Sequence, residues 1–260
     1  MNFFSMSDKG MVRPNNEDFT ESFQWRWCSC TGVQESFTAL IVADGMGGAA
    51  AGELASSLAV KTVKDKLQAS LLSENVETVL AADLRETLSG YCKEANEAIF
   101  SKAQANPDME GMGTTIVIAI VSRDMLTLCH VGDSRCYMHR EGRLKRLTRD
   151  HSLVQEMIDA GKIAPDQAEK HPNKNVITRA LGVAATVEPE CSRLPIFTGD
   201  VLVLGSDGLC GFVDERTIKD MVEKQASQPN SNLKQLAQHL IECANMNGGA
   251  DNISVCLYRH

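Results

Sequence analysis

Three apolar runs of this chain end on a glycine–aspartate pair. They are "FTALIVADG" (37–45), "VLVLGSDG" (201–208) and, with the order of the pair reversed, "LTLCHVGD" (126–133). The β-branched and apolar content of 37–44, with a turn signal directly after it, predicts a buried strand. "GTTIVIAIV" (113–121) and "MLTLCHVGD" (125–133), joined by a short "SRD", predict an antiparallel hairpin, and "RCYMHREGRLKRLT" (135–148) predicts another with "REG" at its tip. Further strands are predicted at 200–205 and 252–258.

Between the strands the apolar period changes to that of a helix. Ala55, Ala59, Val63 and Leu67, with Leu54 and Leu58 beside them, predict a helix over 50–71. Leu84, Leu88, Tyr91, Ala95 and Ile99 predict another over about 83–105. Ser152 opens a short helix through a Ser-x-x-Gln capping pattern that Gly161 closes. Residues 162–182 read as polar and irregular. Helices are predicted at about 214–225 and 232–246, the second with Leu233, Leu236, Leu240 and Ile241 on one face. Hairpins make antiparallel sheets, so the pattern predicts an α+β fold with helices packed on sheets, not a doubly wound parallel one.

No linker, repeat or low-complexity tract divides the 260 residues, which are read as one domain. The 43% apolar and 23% charged fractions are ordinary for a globular protein. No apolar run reaches the roughly 20 residues needed to cross a bilayer. "MNFFSMSDKG" lacks the features of a signal peptide, which gives an expectation of a cytoplasmic protein. A net charge of −8 argues against nucleic acid and anionic membranes as partners. It also opposes phosphate chemistry unless bound cations reverse the local sign. The nine cysteines contain no C-x-x-C pair and are read as reduced, mostly buried thiols.

The acids at strand ends and in glycine-rich turns carry the candidate chemistry. They are Glu17 and Asp18 in "RPNNED", Asp44 in "DGMGG", Asp133 in "GDSR", Asp207 in "SDG" and Asp251 in "GGADN". Gly45, Gly132, Gly208 and Gly249 beside them allow tight turns and close approach of backbone carbonyls to a ligand. A lone Asp-Gly is usually a turn. Several on apolar strands that converge would place carboxylates too close to stay ionised without compensation. Hard divalent cations supply that compensation, and an all-oxygen donor set selects Mg²⁺ or Mn²⁺ over zinc.

The motifs "SDKGMVRPNNED", "VADGMGG", "MGTT", "HVGDSRCY", "LTRDHSLVQEMIDAGKI", "HPNKNVITRALG", "GDVLVLGSDGL" and "GGADNISV", in this order, resemble the metal-dependent serine/threonine protein phosphatases (the PPM or type 2C family) in their compact bacterial form. The resemblance spans nearly the whole chain. It implies a four-layer α-β-β-α sandwich of two antiparallel sheets flanked by helices, in a single catalytic domain over 1–260, with a flap at about 152–182. It implies that Asp44 bridges two metals, that Asp207 and Asp251 complete the first, and that the Gly45 carbonyl binds the second. Glu17 and Asp18 would reach the metals through water, and Asp133 with Asp207 would hold a weaker third ion. Arg13 would grip the substrate phosphate with its planar fork. The implied reaction is hydrolysis of phosphoserine or phosphothreonine on proteins by a hydroxide activated between two Mn²⁺ or Mg²⁺ ions. The implied partners are phosphoproteins, including a bacterial serine/threonine kinase and its substrates, met by a monomer.

One departure concerns the leaving group. Eukaryotic relatives often carry His after the metal-binding Asp-Gly as a proposed general acid, and this chain has Met46. Water on a metal is the preferred donor, with His130 a second candidate whose strand setting favours a structural role. Ala49 stands where many bacterial members have His, with no consequence assigned. Three rivals remain at this point. "CHVGDSR" (129–135) and "CGFVDER" (210–216) have the Cys-x₅-Arg spacing of thiolate phosphatases, though chance alone supplies such matches. A catalytically silent binding protein on the same fold is a second rival, and an aspartyl-phosphate enzyme using Asp44 a third.

Overall fold

A computed structural model describes residues 2–28, 34–73, 83–168, 171–226 and 232–260. Its strands are β1 (Phe3–Asp8), β2 (Asp18–Cys28), β3 (Gln34–Met46), β4 (Gly113–Thr114), β5 (Ile116–Ser122), β6 (Met125–Val131), β7 (Arg135–Arg140), β8 (Arg143–Arg146), β9 (Glu190–Pro195), β10 (Val201–Gly205) and β11 (Ile253–Arg259). Its helices are α1 (Ala49–Ser73), α2 (Leu84–Ala105), α3 (Leu153–Asp159), α4 (Pro165–Ala168), α5 (Asp207–Cys210), α6 (Glu215–Ala226) and α7 (Leu233–Met246). One sheet runs β1-β11-β10-β7-β8 and the other β2-β3-β5-β6-β9, with β4 against β3; every pairing is antiparallel.

Alternation along β3 explains the layering. Leu40 and Val42 face the space between the sheets, where they meet Val117, Leu126, Leu128, Met138, Leu202, Leu204 and Cys256. Ala39, Ile41 and Ala43 face the other way, onto Ala55, Ala59 and Val63 of α1 and Leu88, Ala95 and Ile99 of α2. A strand covered on both faces reads as a continuous apolar run, as 37–44 does. On the opposite outer face, α6 and α7 cover Val201, Val203, Val255 and Leu257. The result is the expected α-β-β-α sandwich.

The expected helices lie within two residues of the observed ends, and Ser152 caps α3 by accepting from the Gln155 amide. The strand expected over 113–121 is divided at Thr115, opposite Asp44 in the β3 register, where the Asp44 amide donates to Thr115 Oγ1 at 3.1 Å instead of to the Thr115 carbonyl. Strands β1, β2 and β9 go beyond the pattern read from the sequence. β1 and β9 are edge strands of mixed polarity, while β2 carries a broken alternation of Phe19, Phe23, Trp25 and Trp27.

The expectation of reduced thiols throughout is corrected at one pair. Register opposes Cys129 on β6 and Cys191 on β9, and the two form a disulfide with their Cα atoms 4.1 Å apart. Cys28, Cys92, Cys136, Cys210, Cys243 and Cys256 are free thiols, and Cys30 lies outside the described residues.

Candidate metal centre

The strand ends that attract notice in the sequence meet at one end of the sandwich. Asp44, near the end of β3, is paired in register with Asp18 at the start of β2. Its backbone is pinned three ways. Asp44 O accepts from Thr114 Oγ1 and the Thr115 amide, each at 2.8 Å, and its N–H donates to Thr115 Oγ1 at 3.1 Å. From the other sheet, Asp207 opens α5 directly after β10, and its charge raises the Asp44 carboxyl, a sign of crowded negative charge.

Asp133 sits in the turn between β6 and β7, after Gly132, whose φ of +105° favours glycine. Its Oδ1 is buried and has no hydrogen-bond partner among the described residues. Asp18 is also buried; its Oδ2 accepts from Ser206 Oγ at 2.8 Å. Glycines let the segments close up. A Cβ on Gly45 would stand 2.1 Å from Gly52 O, and one on Gly208 would stand 2.0 Å from Asn252 O. Gly249, in the turn before Asp251, takes a positive φ of +51°.

Asp251 and Arg13 lie at the open side. Arg13 Nη2 donates to Asp251 Oδ2 at 2.6 Å, and about half of the Arg13 side chain is exposed. Glu17 joins through backbone as well as side chain. Its carbonyl accepts from Gly45 N–H and Ser56 Oγ, and its carboxylate packs against Gly52 at the start of α1.

The electrostatics follow from this crowding. Burial pushes Asp44 well above the usual carboxylate range, reinforced by Asp18, Asp207 and Asp133. Asp18 and Asp133 are each raised to about 7 by burial first and by the charge of Asp207. Asp207 is raised by burial and by Asp251, against smaller opposing contributions from Asp44, Arg13 and Arg135. Glu17 is raised by burial, with Arg13 opposing. Bringing acids together in this way costs stability unless a cation arrives.

The donor set fits hard divalent cations. It is all oxygen, and a buried acceptor lacks a partner at Asp133 Oδ1. The pocket is wider than one ion's reach. Among the described residues, the one group of three or more potential ligand side chains whose donor atoms all lie within 4.8 Å of one another is His130, His151 and Glu190, outside the acid pocket. Carboxylates spread along a pocket suit several cations sharing ligands, with water completing each shell.

Sequence reasoning named the acids but missed the residues that aim them. Thr115 and Thr114 hold Asp44, and Ser206 holds Asp18. Asn252 holds the 9–17 loop by donating to Lys9 O and Asn15 O and accepting from Glu17 N–H. The signal was present, because each is a polar residue at the end of an apolar strand, where burial demands partners. His130 is not aimed at the acids. Its Nε2 bonds Arg149 O at 2.8 Å, its ring stacks on His151, and burial lowers its pKa.

Comparison with known proteins agrees with the geometry. Residues 16–242 match the family model of protein phosphatase 2C. The chain is 37% identical over 254 residues to the serine/threonine phosphatase stp of Listeria welshimeri, covering 96% of this chain and 92% of that one. It superposes on the S. agalactiae serine/threonine phosphatase with a TM-score of 0.83 at 34% identity, covering 99% of both chains. It superposes on the catalytic domain of the phosphatase PstP, solved in complex with two manganese ions, with a TM-score of 0.79 at 33% identity; coverage is 99% of this chain and 96% of that one.

Proposed function

The chain belongs to the protein phosphatase 2C family and is a metal-dependent serine/threonine protein phosphatase, and from that premise we propose which of its residues do the work. Asp44, Asp207, Asp251 and the Gly45 carbonyl would hold two cations, with Asp44 shared between them, Asp207 and Asp251 serving the first and Gly45 the second. Glu17 and Asp18 would assist through water, and Asp133 with Asp207 would hold a weaker third ion. The single observation that carries this reading is the convergence of raised carboxyls from both sheets, Asp18 buried and Asp44, Asp133 and Asp207 half-buried, with an Asp133 Oδ1 that has no partner among the described residues.

When bound, two divalent cations acidify a water for in-line attack on phosphorus and neutralise the phosphoryl oxygens. The residues of the chain supply position and charge. The backbone bonds of Asp44 fix its carboxylate where it can be shared, so little rearrangement is needed at the moment of reaction. Arg13, half exposed at the rim, turns its free donors to the substrate phosphate. Met46 offers no proton, and His130 is committed to Arg149 O, so the leaving alkoxide takes its proton from water. The thiolate rivals lack a usable nucleophile. Cys129 is buried in a disulfide, and burial pushes the Cys210 thiol up to about 12.

Mn²⁺ and Mg²⁺ both suit the donor set, and residues 1–260 act as a single catalytic domain with the flap over 152–182, of which 169–170 lie outside the described residues. Substrates are phosphorylated proteins, and we assign to them a serine/threonine kinase that this phosphatase opposes. No helix of the described residues is long and apolar enough to cross a membrane. We take the protein to be a cytoplasmic monomer. The test is hydrolysis of a phosphothreonine peptide and of p-nitrophenyl phosphate. Activity should require added Mn²⁺ or Mg²⁺, vanish in EDTA, and leave no phosphate trapped on Asp44. Turnover that persists after chelation, or a phosphoenzyme cleaved by hydroxylamine, refutes the assignment.

A further inference from the structure

The flap is tied to the acid pocket through a short strap. Residues 148–151 bond, one after another, into the stretch 130–136 that carries Asp133. Thr148 Oγ1 accepts from the Cys136 amide at 3.1 Å, and Arg149 O accepts from His130 Nε2 at 2.8 Å. Asp150 takes a bidentate grip from Arg135, with the shortest contact 2.7 Å from Nη2. His151 then holds Gly132 twice. Its backbone N–H donates to Gly132 O at 2.9 Å, and its ring Nδ1 lies 3.1 Å from the Gly132 amide.

The strap runs straight into the neck of the flap. Thr178 N–H donates to His151 O and Leu153 N–H donates to Val176 O, each at 2.9 Å, with Ser152 bridged to Ile177. His151 therefore bonds to the flap with its carbonyl and to the glycine before Asp133 with its ring.

The chemistry of the ring decides between two roles. An amide can only donate, so Nδ1 of His151 must accept, and the single proton of the neutral ring sits on Nε2. That nitrogen faces Glu190 Oε2, its acceptor, at 3.5 Å, and Arg179 Nη1, 3.2 Å away, cannot accept from it and donates to Glu188 O at 3.0 Å. With no lone pair at Nε2 and a guanidinium beside it, the group of His130, His151 and Glu190 is a poor cation site, although its donor atoms lie close enough for one. The arrangement instead matches an orienting relay, in which Glu190 fixes the ring and the ring fixes a backbone amide.

The geometry points to His151 as a positioning residue that locks Gly132, and through it the Asp133 carboxylate, to the neck of the flap. This rests on the reading of Asp133 as a ligand of the weaker third ion. A flap displaced by a bound phosphoprotein pulls on Thr178 and His151, and so alters how Asp133 is presented. Loss of the ring bond frees the turn and weakens that ion, leaving the two ions on Asp44 in place.

The experiment compares His151→Asn with His151→Gln. The shorter amide places an oxygen near Nδ1 and still accepts from Gly132, while the longer one places its amide near Nε2 and leaves Gly132 N–H unpaired. Mn²⁺ binding to the metal-stripped variants is measured by calorimetry, alongside amide hydrogen exchange and kinetics on a phosphothreonine peptide. His151→Gln should weaken the weak Mn²⁺ event by tenfold or more while keeping the tight ones. It should also speed exchange at Gly132 and Thr178 by tenfold or more, and lower kcat with KM within about threefold. His151→Asn should restore each to within about threefold of the unaltered chain. Asp133→Asn separates the two readings. If it leaves the weak event intact, the ligand role of Asp133 fails. If it removes that event while His151→Gln changes affinity by less than twofold, the positioning role fails. Equal effects of Asn and Gln would also overturn it.

Discussion

Strand β10 carries an aspartate at each end, and the two live in opposite surroundings. Asp200, just before the strand, is buried and fully partnered. Arg140 reaches it with Nε at 2.9 Å and Nη2 at 2.6 Å, and the Phe197 amide donates at 2.7 Å. Burial pushes its pKa up, but the bonds from Arg140 and Phe197 outweigh that and hold it below the usual range. Asp207, just after the strand, is raised by burial and by Asp251, and what opposes this is too weak to reverse it. The lesson is in where the arginines go. At the Asp200 end, Arg140 of β7 is spent on the aspartate; at the Asp207 end, Arg135 of the same strand bonds Asp150 and Arg13 bonds Asp251. One end is neutralised from within. The other is left for cations from outside.

Exchanging the two ends is the most forceful way to break the contrast. Asp207→Ala should lower kcat/KM on a phosphothreonine peptide by about 10³-fold or more, the scale at which loss of transition-state charge stabilisation is felt. Melting of the metal-free protein should not fall, because the change removes an uncompensated charge. Asp200→Ala should do the reverse. Activity per folded molecule should stay within about twofold, while stability drops by roughly 2–3 kcal/mol as Arg140 loses its partner. The loss stays below that of a fully buried pair because the Arg140 side chain is 29% exposed and partly rehydrates. Kinetics and denaturant melts on both variants check the division, which fails if Asp200→Ala abolishes turnover or Asp207→Ala unfolds the chain.

The same contrast shows why the sequence was readable in some places and opaque in others. β3 and β10 announce themselves because both faces are covered, which leaves continuous apolar runs at 37–44 and 201–205. Their terminal acids stand out against that background. Edge strands such as β9, "ECSRLP", have one side on solvent and mixed residues, so no period emerges until Cys129 and Cys191 are seen face to face. The acids at the site were legible for a further reason: a carboxylate after a buried strand has no cheap structural excuse. For Thr115, Ser206, Asn252 and His151 the sequence shows a polar residue where burial demands a partner but not which partner, because a contact made across the fold leaves no mark in spacing. Their partners lie far along the chain, as with Ser206 and Asp18, 188 residues apart.

Arg13 tests whether the outer rim belongs to the protein-neutralised or the guest-neutralised class. Its guanidinium is held by Asp251 and raised mainly by that bond, yet half of the side chain faces solvent. If it serves the substrate, Arg13→Ala should raise KM for a phosphopeptide by about tenfold, the loss of one charge-assisted contact, with a smaller change in kcat. Melting of the metal-free protein should move little, since exposed ion pairs contribute weakly. Arg13→Lys should recover only part of the affinity, because an ammonium cannot fork across two phosphate oxygens. A variant with unchanged KM and a clear fall in melting temperature would move Arg13 to the structural side, alongside Arg140.

The smallest expected effect is the dependence of stability on pH, and its sign separates the two ends. An aspartate held low, such as Asp200, adds stability above its unfolded value near 3.9, and that stability is lost as pH falls through the folded value. An aspartate held high does the opposite. Asp18 and Asp133, raised to about 7, bind protons in the fold that the unfolded chain has released. Their contribution is therefore fully present below about pH 4 and is lost as pH climbs from there through about 7. In the metal-free protein the pocket becomes a growing burden across that window, and a bound cation removes it. The rise in melting temperature produced by saturating Mn²⁺ should thus be larger at pH 8 than at pH 5.5, by an order of a few degrees, at about 2–4 °C per kcal/mol for a chain of this size. Competition of protons for the ligands acts in the same direction and is itself part of the linkage. In metal-free Asp133→Asn the decline in melting temperature between pH 5.5 and 8 should shrink, whereas in Asp200→Asn it should stay as steep. Equal declines in both would mean that the raised acids do not titrate as a guest-neutralised group.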